Sequence, residues 1–361
     1  MKEVKSLALS VTYVGCFLGA GFVSGQELWQ YFGAFGNWGY VGFLVSALLF
    51  VVLGVLLLRI TQMTGSEEVD RVLIPWDIPW LRKATGVVSE GYLVGVITIM
   101  TAGVAAMLHQ LAGVPCWLGG AIFALAIALV AMSGVNGMVK VFSVLVPLLV
   151  IVSICFSVGA LHEYGLNGIF HPRSATHNPL MPNWFVSAVN YVAYNVLGAV
   201  GVITPIGKLI HKRGTVYQGI ALSGLMLVGV AVSIIMAVSV CPHAVEAELP
   251  MVALGTLLSP ALGTIYGILM MLGMFSNAMA SLVGMTFYLE KKVPVLHTHR
   301  KLLLLGVAAV VWVFSLGGFG NLISIIFPVF GYLGILVLGC MVIHYIQIRR
   351  QRDAKRVICY N

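Results

Sequence analysis

Long apolar runs with few charges recur along the whole length of this 361-residue chain. Crossing a bilayer takes about 20 apolar residues in helical form. In lipid each backbone group must be satisfied within its own segment, so such runs form helices. They predict spans near 7–33, 37–60, 84–111, 116–134, 139–161, 184–207, 216–241, 261–289, 302–317 and 320–347, the ninth of them short. The expected class is an all-α membrane protein of ten transmembrane helices forming one transporter-like domain over 1–361. The first run follows Lys2 and Lys5, as a secretory signal would, yet it continues past Gln26 and Glu27 into further spans and reads as a retained helix.

Composition agrees with the pattern: 60% of residues are hydrophobic, 9% are charged and mean hydropathy is +1.01. A soluble domain has no core able to hide that much apolar surface. Charge adds orientation, because short cytoplasmic loops collect Lys and Arg. With the N-terminus inside, every one of the 20 basic residues except Arg173 falls on the inner side of the ten-span arrangement. This predicts a multi-pass protein of a bacterial cytoplasmic membrane with both termini cytoplasmic. It also accounts for the formal charge of +8 without a nucleic acid partner. The expected partners are the lipid bilayer and a small-molecule solute, with the oligomeric state left open. The six cysteines are scattered without metal spacing; Cys116 and Cys241 both fall near the outer surface, where they could pair.

Ten spans divide into repeats of five, about 7–161 and 184–347, followed by a cytoplasmic tail at 348–361. An odd number of spans per half makes the second half inverted relative to the first. Each half opens on glycines at mid-membrane depth: Gly19-Ala20-Gly21-Phe22-Val23-Ser24-Gly25 in the first span and Asn195-Val196-Leu197-Gly198-Ala199-Val200-Gly201 in the sixth, with Pro205 and Gly207 beyond. Glycine costs a helix interior about 1 kcal/mol relative to alanine. Paired interruptions in corresponding helices point to a transporter site, while close helix packing is the other use of such glycines. Between the spans, 61–83 suggests a short interfacial helix and 242–260, with Pro242, Pro250 and Pro260, a re-entrant or capping outer hairpin. The outer loop 162–183 holds His162, His171 and His177, which are solvated or bind a metal.

The broken first helix through Gln26-Glu27, the interrupted sixth helix and the 5+5 layout resemble the LeuT fold of the amino acid, polyamine and organocation superfamily. Tyr13-Val14-Gly15 through Gln26-Glu27 is most similar to the YkvI-like bacterial membrane proteins. The resemblance implies a solute bound between the first and sixth helices. Its ligands would be Gly19, Ala20, Gly21, Phe22, Val23, Ser24, Gly25, Glu27, Tyr194, Asn195 and Gly198. Amides around Val23, Ser24 and Gly25 would receive a carboxylate, and carbonyls near Gly19 and Phe22 a cation or an amino group. Sodium-coupled members set two hydroxyls of the eighth helix against first-helix carbonyls. Here Ser276 and Asn277, with Gly273, occupy that stretch, an amide replacing the second hydroxyl, which gives Gly19, Phe22, Gly273, Ser276 and Asn277 as a sodium site. Proton-coupled members carry a lysine in the middle of the fifth helix; Lys140 lies a turn nearer the cytoplasm and reads as snorkelling.

Among the acids, Glu27 is either functional or a partner of the helix dipole. Glu90, placed within two turns of the cytoplasmic end of the third helix, reads as an inner-gate ion pair or a snorkelling acid. His109 and His344 fall at helix ends. The expected function is a cation-coupled symporter, with sodium as coupling ion and no other cofactor, carrying a small organic solute such as an amino acid or related amine. The rival is a solute-binding sensor on the same scaffold. No acid, histidine and nucleophile cluster marks an enzyme.

Overall fold

The computed structural model describes residues 5–65, 72–76, 78–133, 138–170, 178–207, 210, 212–293 and 295–360. Arg71, His171, Pro172, Arg173, His177 and Lys208 lie outside the described residues, as do the side chains of Ala20, Lys140 and Pro205.

Every predicted span coincides with helix. The first consists of three short helices, α1 (Ser6–Phe17), α2 (Ala20–Val23) and α3 (Gln26–Tyr31), closed by a 3-10 turn at Gly33–Phe35. Then come α4 (Asn37–Thr64), α5 (Pro79–Ala112), α6 (Cys116–Ser133) and α7 (Met138–Tyr164). The later half holds α8 (Trp184–Gly207), α9 (Arg213–Val240), α10 (Pro242–Val245), α11 (Pro250–Leu258), α12 (Pro260–Lys292), α13 (Val295–Thr298), α14 (Arg300–Ser315) and α15 (Phe319–Tyr360). Among the described residues, seven helices are long and apolar enough to cross a membrane: α4, α5, α7 from Pro147 onward, α8, α9, α12 and α15. Below, "outer" and "inner" follow the orientation given by the basic residues.

The helices sort into two groups by what they touch. In one, α1 packs on α9, α9 on α4, α4 on α8 and α8 on α1; in the other, α5 packs on α6 and α12, and α14 on α5 and α6. The segment α15 bridges α8 to α5, and α7 bridges α9 to α12. Exchanging α1 with α8, α4 with α9, α5 with α12, α6 with α14 and α7 with α15 returns all these contacts: α1 on α9 becomes α8 on α4, and α7 on α12 becomes α15 on α5. The short α2 continues α1 of the first group and touches α5 and α12 of the second, so the first helix links the two groups.

Lipid tails are as apolar as leucine, so helices in a bilayer associate through close packing and hydrogen bonds. The contact of α8 with α15 uses both. A Cβ on Gly334 would stand 2.8 Å from the Ala193 carbonyl oxygen, and Gly331 leaves room for Asn190. Pro328 lacks the N–H that would bond the carbonyl of Ser324. Asn178 Nδ2 donates to that carbonyl at 2.6 Å, and Asn190 Nδ2 donates to Pro328 O at 2.8 Å.

Three expectations change. The helix of α8 continues through Asn195–Gly201 to Gly207, so the sixth span is not interrupted. A Cβ on Gly198 would lie 2.7 Å from the Tyr92 ring, which makes this glycine a seat for a neighbouring helix. The third helix starts at Pro79, five residues earlier than the sequence suggested, which carries Glu90 deeper; it is half-buried, and its Oε2 is buried without a hydrogen-bond partner. Cys116 is exposed and Cys241 buried, both as free thiols. At the inner end of α15, His344 Nδ1 donates to the Val72 carbonyl at 2.9 Å, while His109 is exposed at the outer end of α5.

Candidate functional site

The site is built on the two breaks of the first helix. α1 ends where Leu18 leaves helical geometry and Gly19 N–H turns back to Phe17 O at 2.7 Å. One turn later the chain breaks again at Ser24-Gly25, where Gly25 has φ 81°, a conformation that glycine enters without the steric cost borne by other residues. A break frees backbone groups that cannot stay unpaired in an apolar interior. Several find partners nearby. Ser24 Oγ donates to Gly21 O at 2.9 Å and accepts from Gln26 N–H at 3.2 Å. Tyr266 Oη on α12 donates to Val23 O at 2.6 Å, and having spent its proton accepts one from Ser153 on α7 at 2.9 Å. From the outer hairpin, Met251 N–H donates to Ser24 O at 2.9 Å.

These bonds revise the expected ligand roles. Val23 N–H goes to Gly19 O at 3.2 Å and Gly25 N–H to Phe22 O at 3.1 Å. Of the amides expected to receive a carboxylate, those of Val23 and Gly25 are thus bonded within the break, and the neighbouring Gln26 N–H is held by Ser24. The carbonyls of Gly19 and Phe22 each accept one of these N–H groups and keep one lone pair.

Glu27 folds back across the break. Its carboxylate lies where a Cβ on Gly21 would stand, so only glycine fits there. Glu27 is 4% exposed, and Tyr194 Oη on α8 donates to its Oε1. Asn195 and Tyr191 face the same carboxylate, although the Tyr191 hydroxyl does not reach hydrogen-bond geometry. Tyr31 and Tyr92 complete the surroundings. The Tyr194 ring stacks on Phe327 of α15, centroids 4.5 Å apart, and Tyr31 holds Asn190 Oδ1 at 3.2 Å. The structure thus brings Gly21, Glu27, Tyr194 and Asn195 together. Gly198 faces Tyr92.

Of the expected sodium ligands, Asn277 reaches the break: its Nδ2 is 3.4 Å from the place a Cβ on Gly19 would take. The oxygen and nitrogen of such an amide are interchangeable by a flip. Gly273 lies one turn away, partly exposed like Asn277, and Ser276 is buried. Among the described residues, no group of His, Cys, Asp or Glu is placed to hold a metal ion. The remaining donors are backbone, hydroxyl and amide oxygens, the hard ligands that suit sodium.

Exposure is uneven. Phe22, Val23, Ser24 and Leu28 are at most 1% exposed. Gly19, Gly198, Asn277 and Tyr92 are partly exposed although each faces another helix.

No family model matches the chain. The membrane protein YkvI of Bacillus subtilis is 27% identical over 348 residues, covering 94% of this chain and 97% of YkvI. Among solved structures, inward-facing Mhp1 superposes with a TM-score of 0.67 at 14% identity, over 97% of this chain and 78% of Mhp1. MhsT, solved in complex with L-phenylalanine, gives 0.62 at 16% identity, over 94% and 89%. The chain has the LeuT fold and is similar to YkvI. It is a multi-pass membrane protein. Both agree with the resemblance carried by the first helix. Sequence reasoning missed Tyr31, Tyr92, Tyr191, Tyr266 and Phe327. The recurrence of polar residues along one helix, Asn190, Tyr191, Tyr194 and Asn195, was the available signal for the α8 face.

Proposed function

We propose that the chain is a secondary transporter that carries a small organic solute, an amino acid or related amine, by alternating access in symport with sodium. The observation that carries this reading is the first helix, broken on both sides of α2 and linking the two helix groups, beside the buried acid Glu27. Groups that touch through a broken helix can rock without disrupting either core. The self-mapping of the helix contacts supports a 5+5 inverted repeat, and the likeness to solved transporter folds supports the class. Gly19, Phe22, Gly273, Ser276 and Asn277 would hold the sodium ion, and the walls from Gly21, Glu27, Tyr194 and Asn195 would hold the solute.

The test is uptake by the purified protein in proteoliposomes under imposed gradients. Accumulation driven by sodium is expected, and Asn277→Ala should raise the sodium concentration required by about tenfold, the worth of one ion–dipole contact near 1.4 kcal/mol. Solute binding without accumulation would replace transport by the sensor reading; uptake driven by protons alone would remove sodium.

A further inference from the structure

We infer that the inner end of the second helix group binds the headgroup of an anionic phospholipid between α5 and α12. This surface lies on the far side of α5 from the solute site. Where the two helices meet, a Cβ on Gly86 would collide with the Tyr288 hydroxyl, so the glycine is a seat for that ring. Farther out, Gly103 faces Met274 and Gly267 faces Met107, so the helices run antiparallel. Lys83 therefore lies about 4.5 Å inward of the contact on α5, and Lys292 about 6 Å inward on α12, at 1.5 Å per residue. Both lysines are exposed, at nearly the same depth.

Neighbouring groups fix this charge in place. Lys292 Nζ stands 5.7 Å from the centroid of the Tyr288 ring, a cation–π contact. Glu290 Oε1 holds Arg300 Nε at 3.6 Å, which brings the start of α14 to the same level, with the exposed Lys301 beside it. Among the described side chains at this end, the acids are Glu290, spent on Arg300, and Glu90, half-buried and one turn deeper than Gly86. Lys83, Lys292 and Lys301 have no ion pair among the described residues. The surface carries a surplus of positive charge that the protein leaves uncompensated.

Apolar exposure beside the lysines points to a lipid and not to a free anion. Trp80 and Val87 are 70% and 63% exposed, and they share one face of α5 with Lys83, at helical spacing. Val87 lies five turns before Ala105, which faces Gly119 of α6, so this face turns to the α6 side while Tyr92 turns to Gly198. Tryptophan settles at the boundary of headgroups and acyl chains, and basic pockets between helices on the cytoplasmic side take lipid headgroups. A phospholipid satisfies both halves of this surface: its phosphate meets the lysines, and its chains cover Val87. The surplus of positive charge selects a lipid with net negative charge.

The experiment titrates lipid onto the full chain, purified and delipidated in a neutral detergent, with bound lipid read by native mass spectrometry. The probes are dioleoylphosphatidylglycerol, dioleoylphosphatidylcholine with the same chains, and inorganic phosphate. Phosphatidylglycerol should bind about tenfold more tightly than phosphatidylcholine, or better. Lys83→Gln combined with Lys292→Gln should raise its Kd by about tenfold or more. Lys5→Gln combined with Lys212→Gln removes the same charge from the inner end of the first group and should leave the Kd within about twofold. Lys83→Gln alone, at an exposed position, should raise it by about fivefold, and keeps the test available if the double variant fails to fold. Equal affinity for the two lipids, equal losses in the two double variants, an unchanged Kd in Lys83→Gln, or displacement of the lipid by inorganic phosphate at matched concentration overturns the assignment. Binding is read without solute or gradient, so its outcome is independent of the transport reading.

Discussion

The first helix leaves helical geometry twice between Leu18 and Gly25, while α8, which meets it at the site, stays helical across Gly198 and Gly201. Glycine content separates them by one residue, three in 19–25 against two in 195–201. The surroundings differ more. Around the first helix, Tyr266, Met251 and Ser24 stand ready to take the freed carbonyls and amides. At Gly198 the neighbour is the ring of Tyr92, which fills the space a side chain would need and leaves the α8 ladder alone. A break in a membrane helix thus depends less on a weak propensity, about 1 kcal/mol per glycine, than on external partners for groups whose exposure would cost several.

Substitutions should separate the two uses. The largest effect is expected at Gly25: with φ 81° an alanine incurs about 1–2 kcal/mol of left-handed strain. Its Cβ would also sit 3.2–3.3 Å from Met251, Ile234 and Val238, so Gly25→Ala should lower the melting temperature most and abolish uptake. At Gly198, alanine should cost about 1–3 kcal/mol by overpacking against Tyr92. Here Tyr92→Ala should relieve the strain in a double-mutant cycle, whereas purely additive losses would contradict the seat described for that ring. Tyr266→Phe deletes the donor to Val23 O and should cost about 1–2 kcal/mol for an orphaned buried carbonyl; a neutral result in thermal unfolding would mean the break does not rely on α12. Gly201 has nothing within 4 Å of its Cβ position. Gly201→Ala should therefore be neutral or stabilise by up to about 1 kcal/mol through helix propensity, a small gain visible only in unfolding curves.

Helix positions were legible because lipid makes one demand, a long apolar run, and the sequence meets it openly; most ends, such as 116–133 and 184–207, lie within three residues of expectation. The first-helix break was legible from three glycines in seven residues and a nearby acid. The straight α8 was not, because helix packing and helix interruption place glycine at the same depth. Glu27 could be singled out from its cost in the membrane. Its lining by Tyr92 from α5 and by the Tyr194–Phe327 stack could not, since those partners come from distant segments and nothing in the local sequence marks the meeting. Nor could the sequence show that Val23 and Gly25 of the break direct their amides to Gly19 O and Phe22 O, bonds made within the segment itself.

The bond from Met251 N–H to Ser24 O joins the outer hairpin to the unwound segment through two main-chain groups. A contact of this kind has no side chain for mutation to delete. Residues around it can drift, altering the walls against Glu27, while the hairpin keeps its hold on the first helix. On the transport reading proposed above, selectivity and closure are written in different parts of the chain's chemistry, so descendants of this sequence are free to change what they bind without reinventing how they shut.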